Sequence, residues 1–530
     1  MRDFELPGRS PVFTRKAMVC TSHTQATHIA TEVLQAGGNA LDAAIAACAM
    51  QCVVEPQSTG IGGDCFALYA PEGKGRPLAF NGSGRAPAAA SVSALNKLGV
   101  TELQRNSAHS VIVPGAVDAW TQLHKDHGRM PFAELLQPAI ETARVGYPLA
   151  PRVQFDTASQ AAYLRQFETS AKLYLDDGEA PAVGSIRKLP ELANSLAAIA
   201  IDGRDVFYRG HLANNMVSEL TQRGGLHTLE DFTSARGEYV TPISTQFRGL
   251  TVYECPPNGQ GLIALLLLNM MSAAGVEKGG PLTCERIHLE IEACRLAYRV
   301  RDQYLADPAQ SEMPIAEILS PEFARKLIKQ IDPDKTSMPP IELDSARHED
   351  TVYISVVDKH RNVCSFINTL FFGYGSGITT PDGITLTNRG MGFSMDPGSV
   401  NCIAPGKRPL HTIIPGMASR DDRIELCFGV MGGEYQSMGH QQFLTRYLDY
   451  GFDIQESMDL PRFMPDPFTG IVEIEATVEK GIQDQLKAMG HNIVRPEKPI
   501  GGSQAIAIDW ENQVLIGGSD PRKDGCAGGY

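Results

Sequence analysis

The chain has 530 residues, 43% of them hydrophobic, enough to bury a large core. A formal charge of −14 and a pI near 5.4 argue against nucleic acid or an anionic membrane surface as the main partner. Eleven cysteines, odd in number and without paired spacing, point to reduced buried thiols and hence to a cytoplasmic protein. The first residues carry no apolar signal segment, and the longest apolar run, 262–276, is too short to span a bilayer.

Residues 25–36 have helical spacing and stop at Gly37-Gly38. Asn39 can cap a second helix over 40–54, whose alanines at 40, 43, 44, 46, 47 and 49 suit close packing. The loop Thr59-Gly60-Ile61-Gly62-Gly63-Asp64 lacks a following Gly-Lys-Ser/Thr. A tight turn into a strand over 65–69 is therefore favoured over a phosphate cradle. Leu78-Ala79-Phe80 leads to a glycine-flanked loop bearing Arg85, either a solvated cation or a holder of an anionic group. A strand end is expected at 110–115. Helices are expected at 116–126, 132–145, 188–200, 214–223 and 284–305, with a buried one over 262–276. His288 and Glu292 lie four apart on a helix; without a second histidine of a His-Glu-x-x-His motif, ordinary helix residues are favoured over metal ligands.

After residue 350 the texture changes to short strands. Residues 349–358 and 363–371 are β-branched, apolar runs about a polar turn, the pattern of a hairpin. If Asp358 pairs with Asn362 across a three-residue loop, Thr369 falls opposite Thr351 on the same sheet face. Were the chain cut before Thr351, its hydroxyl would be a nucleophile and its new α-amine, with a pKa of about 7.7–8.0, a base. The polar, proline-containing stretch 332–350 reads most simply as a linker feeding a strand, and more sharply as a self-cleaving junction. A strand is expected at 383–388, then the run 410–415, a strand at 425–430 and a helix at 435–450. Met431-Gly432-Gly433 joins the last two. Such a junction can aim backbone N–H groups at an oxyanion, though helix packing explains the glycines equally well. No Gly-x-Ser-x-Gly elbow occurs.

Together these stretches resemble the γ-glutamyltranspeptidase family of N-terminal-nucleophile hydrolases. The resemblance runs from about residue 18 to Tyr530. It is carried by Gly37-Gly38-Asn39-Ala40, Gly60-Ile61-Gly62-Gly63-Asp64, Val113-Pro114-Gly115, Asp307-Pro308 and Thr351 with Ser355-Val356-Val357-Asp358. Lys407-Arg408-Pro409, Gly432-Gly433 and Ser519-Asp520-Pro521-Arg522 complete it. The resemblance implies an α+β fold, a four-layer αββα sandwich, made as one precursor. That precursor would cut itself between Asp350 and Thr351 into a large chain, 1–350, and a small chain, 351–530. Thr351 would be the nucleophile, Thr369 its hydrogen-bonding partner, and Gly432 and Gly433 the oxyanion hole. No cofactor or metal is implied; a homo-oligomer is compatible with it.

The same resemblance implies a small-molecule amide substrate, a γ-glutamyl compound such as glutathione. Several positions depart from the family pattern. Phe371 stands where an asparagine follows the second threonine, Gly392 where an aspartate holds the donor's ammonium, and His411-Thr412 where two serines occur. The segment between Ser394 and Lys407 is short, which suggests a missing lid loop. These features are similar to the cephalosporin-acylase-like branch, whose glutaryl amides lack the α-amino group. Arg389 is then the expected carboxylate binder, with Arg85, His411 and Thr412 as further substrate contacts. The alternative from another class is an unprocessed, inactive member acting as a binding protein.

Overall fold

The computed structural model describes residues 8–276, 278–338 and 350–530. Most of the stretch expected to be a linker, 339–349, lies outside them.

Two seven-stranded sheets form the centre. One runs in the order Cys526–Gly529, Met18–Thr21, Asp350–Val357, Val363–Phe371, Asp64–Ala70, Leu78–Gly82, Glu238–Val240. The other runs Val12–Thr14, Val514–Ser519, Gly502–Asp509, Arg423–Met431, Gly416–Arg420, Leu250–Glu254, Ile243–Phe247. Neighbours in both are antiparallel. Each sheet draws strands from both sides of residue 350, so the two parts of the chain share one core.

The sheets pack face to face on a core that includes Phe66, Leu68, Tyr353, Ile367, Met417 and Ile506. Helices Thr24–Gln35 and Ala40–Val54 cover the outer face of the first sheet. Helices Gly261–Ala274 and Tyr435–Leu448 cover that of the second. This is the expected αββα layering. All fifteen residues of Ala40–Val54 are buried, which explains its alanines: no face of this helix meets water. Asn39 caps it, accepting the Leu41 and Asp42 N–H groups, while Asp42 returns a bond to the Asn39 N–H.

The central hairpin follows its sequence pattern. Asp358 and Asn362 close a three-residue loop, with the Asp358 N–H donating to Asn362 O at 3.1 Å and Arg361 in the left-handed region. The Asp358 carboxylate also accepts the N–H groups of His360 and Asn362, and reaches across to the Ala40 N–H at 3.0 Å. The hairpin tip thus helps cap the buried helix.

The glycine loop is a tight turn. A Cβ on Gly63 would stand 2.0 Å from the Thr369 carbonyl oxygen, and one on Gly62 2.2 Å from that of Thr385. The loop therefore passes against the strand bearing Thr369 only because these side chains are absent. Gly63→Ala should cost more than about 2 kcal/mol, because the ladder Asp64↔Thr369 must part. Urea unfolding measures this; an unchanged midpoint would refute the close approach.

Two sequence expectations are altered. Residues 110–115 form no strand, Ser110 closing a short 3-10 turn over 108–110, and 383–388 make isolated bridges rather than a strand. The run 410–415 is extended but joins no sheet. Its N–H groups bond elsewhere: Leu410 to Asn401 Oδ1, His411 to Asn258 O, Ile414 to Gln436 Oε1. Prolines at 409 and 415 bound it, and Pro415 has no N–H to offer a ladder.

Candidate active site

At the open end of the central hairpin the Thr351 hydroxyl lies 3.3 Å from that of Thr369. Both are buried, and Thr369 Oγ1 also accepts the Phe371 N–H at 2.8 Å. Alternation puts both threonines on the inter-sheet face, in line with Tyr353 and Val357 on one strand and Val363 and Ile367 on the other. The expected register holds from Val352↔Asn368 to Val357↔Val363. It then shifts, so that Asp350 pairs with Phe371 and Thr351 sits in the irregularity. Bulges of this kind re-aim a side chain at the end of a ladder.

Phe371 is held at φ +83°, a region that bulky residues enter only when their surroundings impose it. Its ring lies under the Arg389 guanidinium, 3.6 Å from carbon to ring centroid. Arg389 is itself buried and is carried on a latch to the same strand end: Thr387 Oγ1 and the Asn388 N–H both donate to Leu370 O. Its Nη1 donates to Thr412 Oγ1 at 3.1 Å. Phe371, Arg389 and Thr412 line one cavity of about 380 Å³, with Phe372, Phe393 and Leu410 among its apolar walls. Gly392 and Ser394 form part of its rim. Glu434 and Asp302 also line it, and both are paired with Arg301.

His411 stands behind this cavity rather than in its wall. Its Nε2 lies 3.0 Å from Asp64 Oδ2, and its ring packs on Phe66. Its Nδ1 accepts the Ile413 N–H, so Nε2 carries the proton toward Asp64. Burial, with Arg389 close by, pushes its pKa down to about 4 against the pull of Asp64, so the ring is neutral at pH 7. Asp64 also accepts the Gly84 N–H. The carboxylate at the end of the glycine loop thus orients the histidine, a role not read from the sequence.

Arg85 is set apart. It lines a different cavity of about 120 Å³, where it meets Asp307 at 3.4 Å and Gly406 O at 3.1 Å. Glu238 lies 3.6 Å from it.

Gly432 and Gly433 adopt φ +118° and +53° between strand Arg423–Met431 and helix Tyr435–Leu448. The Gly432 carbonyl accepts the Tyr435 N–H, and the Gly433 carbonyl accepts the Gln436 N–H. A trans peptide sets N–H opposite C=O, so holding the Gly432 oxygen against the helix turns the Gly433 N–H away from it.

His288, Glu292 and His491 bring potential metal-ligand atoms within 4.8 Å of one another among the described residues. Their hydrogen bonds do not suit a cation. Arg295 donates toward His491 Nδ1, His491 Nε2 lies 2.8 Å from His288 Nδ1, and His288 Nε2 lies 2.8 Å from Asp332 O. A guanidinium only donates and a carbonyl only accepts, so His491 Nε2–H donates to His288 Nδ1. A metal there would force a proton onto His491 Nδ1, facing Arg295. The two histidines, joined to Glu292 through Arg295, form a hydrogen-bonded chain that anchors the segment ahead of residue 339.

The family model described as Gamma-glutamyltranspeptidase matches residues 26–530. The chain belongs to the γ-glutamyltranspeptidase family. It is 35% identical to the glutathione hydrolase-like YwrD proenzyme of Bacillus subtilis, over 98% of this chain and 99% of that protein. It is 32% identical to the oxamate amidohydrolase proenzyme of Klebsiella pneumoniae, over 97% and 98%. Among solved structures, a cephalosporin acylase from Bacillus halodurans superposes with a TM-score of 0.92 at 36% identity, covering 100% of this chain and 99% of that one. This γ-glutamyltranspeptidase-family protein is therefore a hydrolase with an N-terminal-nucleophile fold, and its acylase likeness extends over the whole chain.

Proposed function

We propose that this protein is a self-processing threonine amidohydrolase for acyl groups that carry a free carboxylate and need no α-ammonium. The observation that carries this is the buried Thr351–Thr369 hydroxyl pair, joined through Phe371 to the Arg389 cavity. In the precursor, Thr351 Oγ1 attacks the Asp350 carbonyl carbon and the peptide C–N bond breaks, which leaves an ester and a free Thr351 amine. Water then hydrolyses the ester, giving chains 1–350 and 351–530. In turnover the Thr351 hydroxyl passes its proton to that amine as it attacks the substrate amide. The N–H groups of Gly432 and Gly433 receive the oxyanion. The amine product leaves with the proton, and water releases the acid.

Glutaryl-type amides fit better than γ-glutamyl ones, because Gly392 offers an ammonium no carboxylate and Arg301 engages both Glu434 and Asp302. The γ-glutamyl reading keeps support from the glutathione hydrolase-like relative. Turnover of glutaryl and γ-glutamyl anilides decides between them. Glutaryl turnover should equal or exceed γ-glutamyl turnover; a strong γ-glutamyl preference would show that another group holds the ammonium. Eleven free thiols, nine of them buried, support a reducing, cytoplasmic setting.

A further inference from the structure

Gln260 is wholly buried at the start of helix Gly261–Ala274, between the two parts of the site. Its side-chain Nε2 lies 3.0 Å from Thr412 O and 3.0 Å from Gly433 O. Both neighbours are carbonyl oxygens, so the amide must present its NH₂ to them, and both hydrogens are used. Its main chain is held as firmly: its N–H donates to His411 O at 2.9 Å, and Ser437 Oγ donates to its carbonyl at 3.2 Å. Thr412 is the residue whose hydroxyl accepts from Arg389, and Gly433 belongs to the oxyanion turn.

On the amidohydrolase reading, we infer that Gln260 is a positioning residue that keeps the oxyanion turn in register with the carboxylate pocket. The Tyr435 N–H grips the carbonyl before Gly433 and Gln260 grips the one after it, so the direction of the intervening N–H is set from both sides. One NH₂ group spans the two elements. A substrate held by its carboxylate at Arg389 then meets N–H donors at a fixed distance from its scissile carbonyl, the quantity on which acyl transfer depends most steeply.

Gln260→Met keeps the volume and removes both donors. Gln260→Glu sets a carboxylate against two carbonyl oxygens, which raises its pKa; once protonated, it regains one donor. Each variant is compared with wild type for processing, thermal midpoint, glutaryl-anilide kinetics and inhibition by free glutarate. Gln260→Met is expected to lose at least about tenfold in kcat while the glutarate inhibition constant stays within about threefold, since glutarate uses the pocket alone. Gln260→Glu should recover activity relative to wild type as pH falls. Undiminished kcat in both variants overturns the inference. So does a loss of kcat and glutarate binding in step with the thermal midpoint, which would mark a purely structural residue. Should Gln260→Met not fold, the pH-dependent ratio for Gln260→Glu decides alone, and a flat ratio overturns it. Wild-type protein that turns over no anilide sinks the amidohydrolase reading and this inference with it; active wild type beside an unimpaired Gln260→Met sinks only the inference.

Discussion

Thr351→Ala is expected to run as one full-length chain on a denaturing gel, while wild type yields fragments 1–350 and 351–530. The smaller wild-type fragment should begin with threonine on N-terminal sequencing. On the proposed mechanism the effect is large because one hydroxyl serves both reactions: it breaks the bond before it, and the amine so released becomes its base. Alanine removes the nucleophile and, through the missing cut, the base as well. Amide turnover should fall on the order of 10⁴-fold or more, to background. Buried beside Thr369, residue 351 has little volume to lose, so the variant's unfolding free energy should stay within about 1 kcal/mol of the uncut precursor's. Activity surviving in uncut Thr351→Ala would end the nucleophile assignment. Wild type that stays whole on long incubation, with no turnover, would favour the inactive binding protein.

Arg389→Gln is the second large effect, and it falls on specificity. A charge-assisted bond from the guanidinium to a substrate carboxylate contributes roughly 1.5–3 kcal/mol, and burial keeps it from being screened. The variant should therefore lose about 10- to 150-fold in kcat/KM on glutaryl anilide, most of it in KM. A butyryl anilide of similar length has no carboxylate to lose and should change by less than about threefold. Processing should remain complete, because the cut uses no substrate carboxylate. Equal losses on the two anilides would mean that Arg389 supports the fold of the cavity, through Phe371 and Thr412, rather than the ligand. Lysine is not a neutral exchange here: it lacks the planar face that stacks on Phe371.

Part of this arrangement is legible in the chain alone because the forces that set it are local. The Asp358–Asn362 loop and the alternation of residues 352–357 and 363–368 fix which face each side chain takes, so that Thr351 and Thr369 share a face follows from counting, while the register shift at Thr351 does not. Helix 40–54 is legible for the same reason: Asn39 and Asp42 are three residues apart. The glycine loop reads correctly as a turn, yet its partner, the Thr369 carbonyl, is more than three hundred residues away in the chain.

What the tertiary structure alone decides is which distant groups share a site. Asp64 and His411 are 347 residues apart; no periodicity joins them, and only the fold sets the His411 ring on Phe66 and against the Asp64 carboxylate, where burial keeps it neutral. His288 and Glu292 looked incomplete as a cluster until His491, 203 residues on, closed a hydrogen-bonded chain. Gln260 carried no signal in its Pro-Pro-Asn-Gly-Gln-Gly turn, since its value lies in two carbonyls supplied by other segments. Local propensity and spacing act over a few residues and so determined the hairpin, the caps and the shared face of the two threonines. Cavity walls and buried polar partners arise only when layers close on one another, and burial, which sets their charge states, is a property of the folded whole.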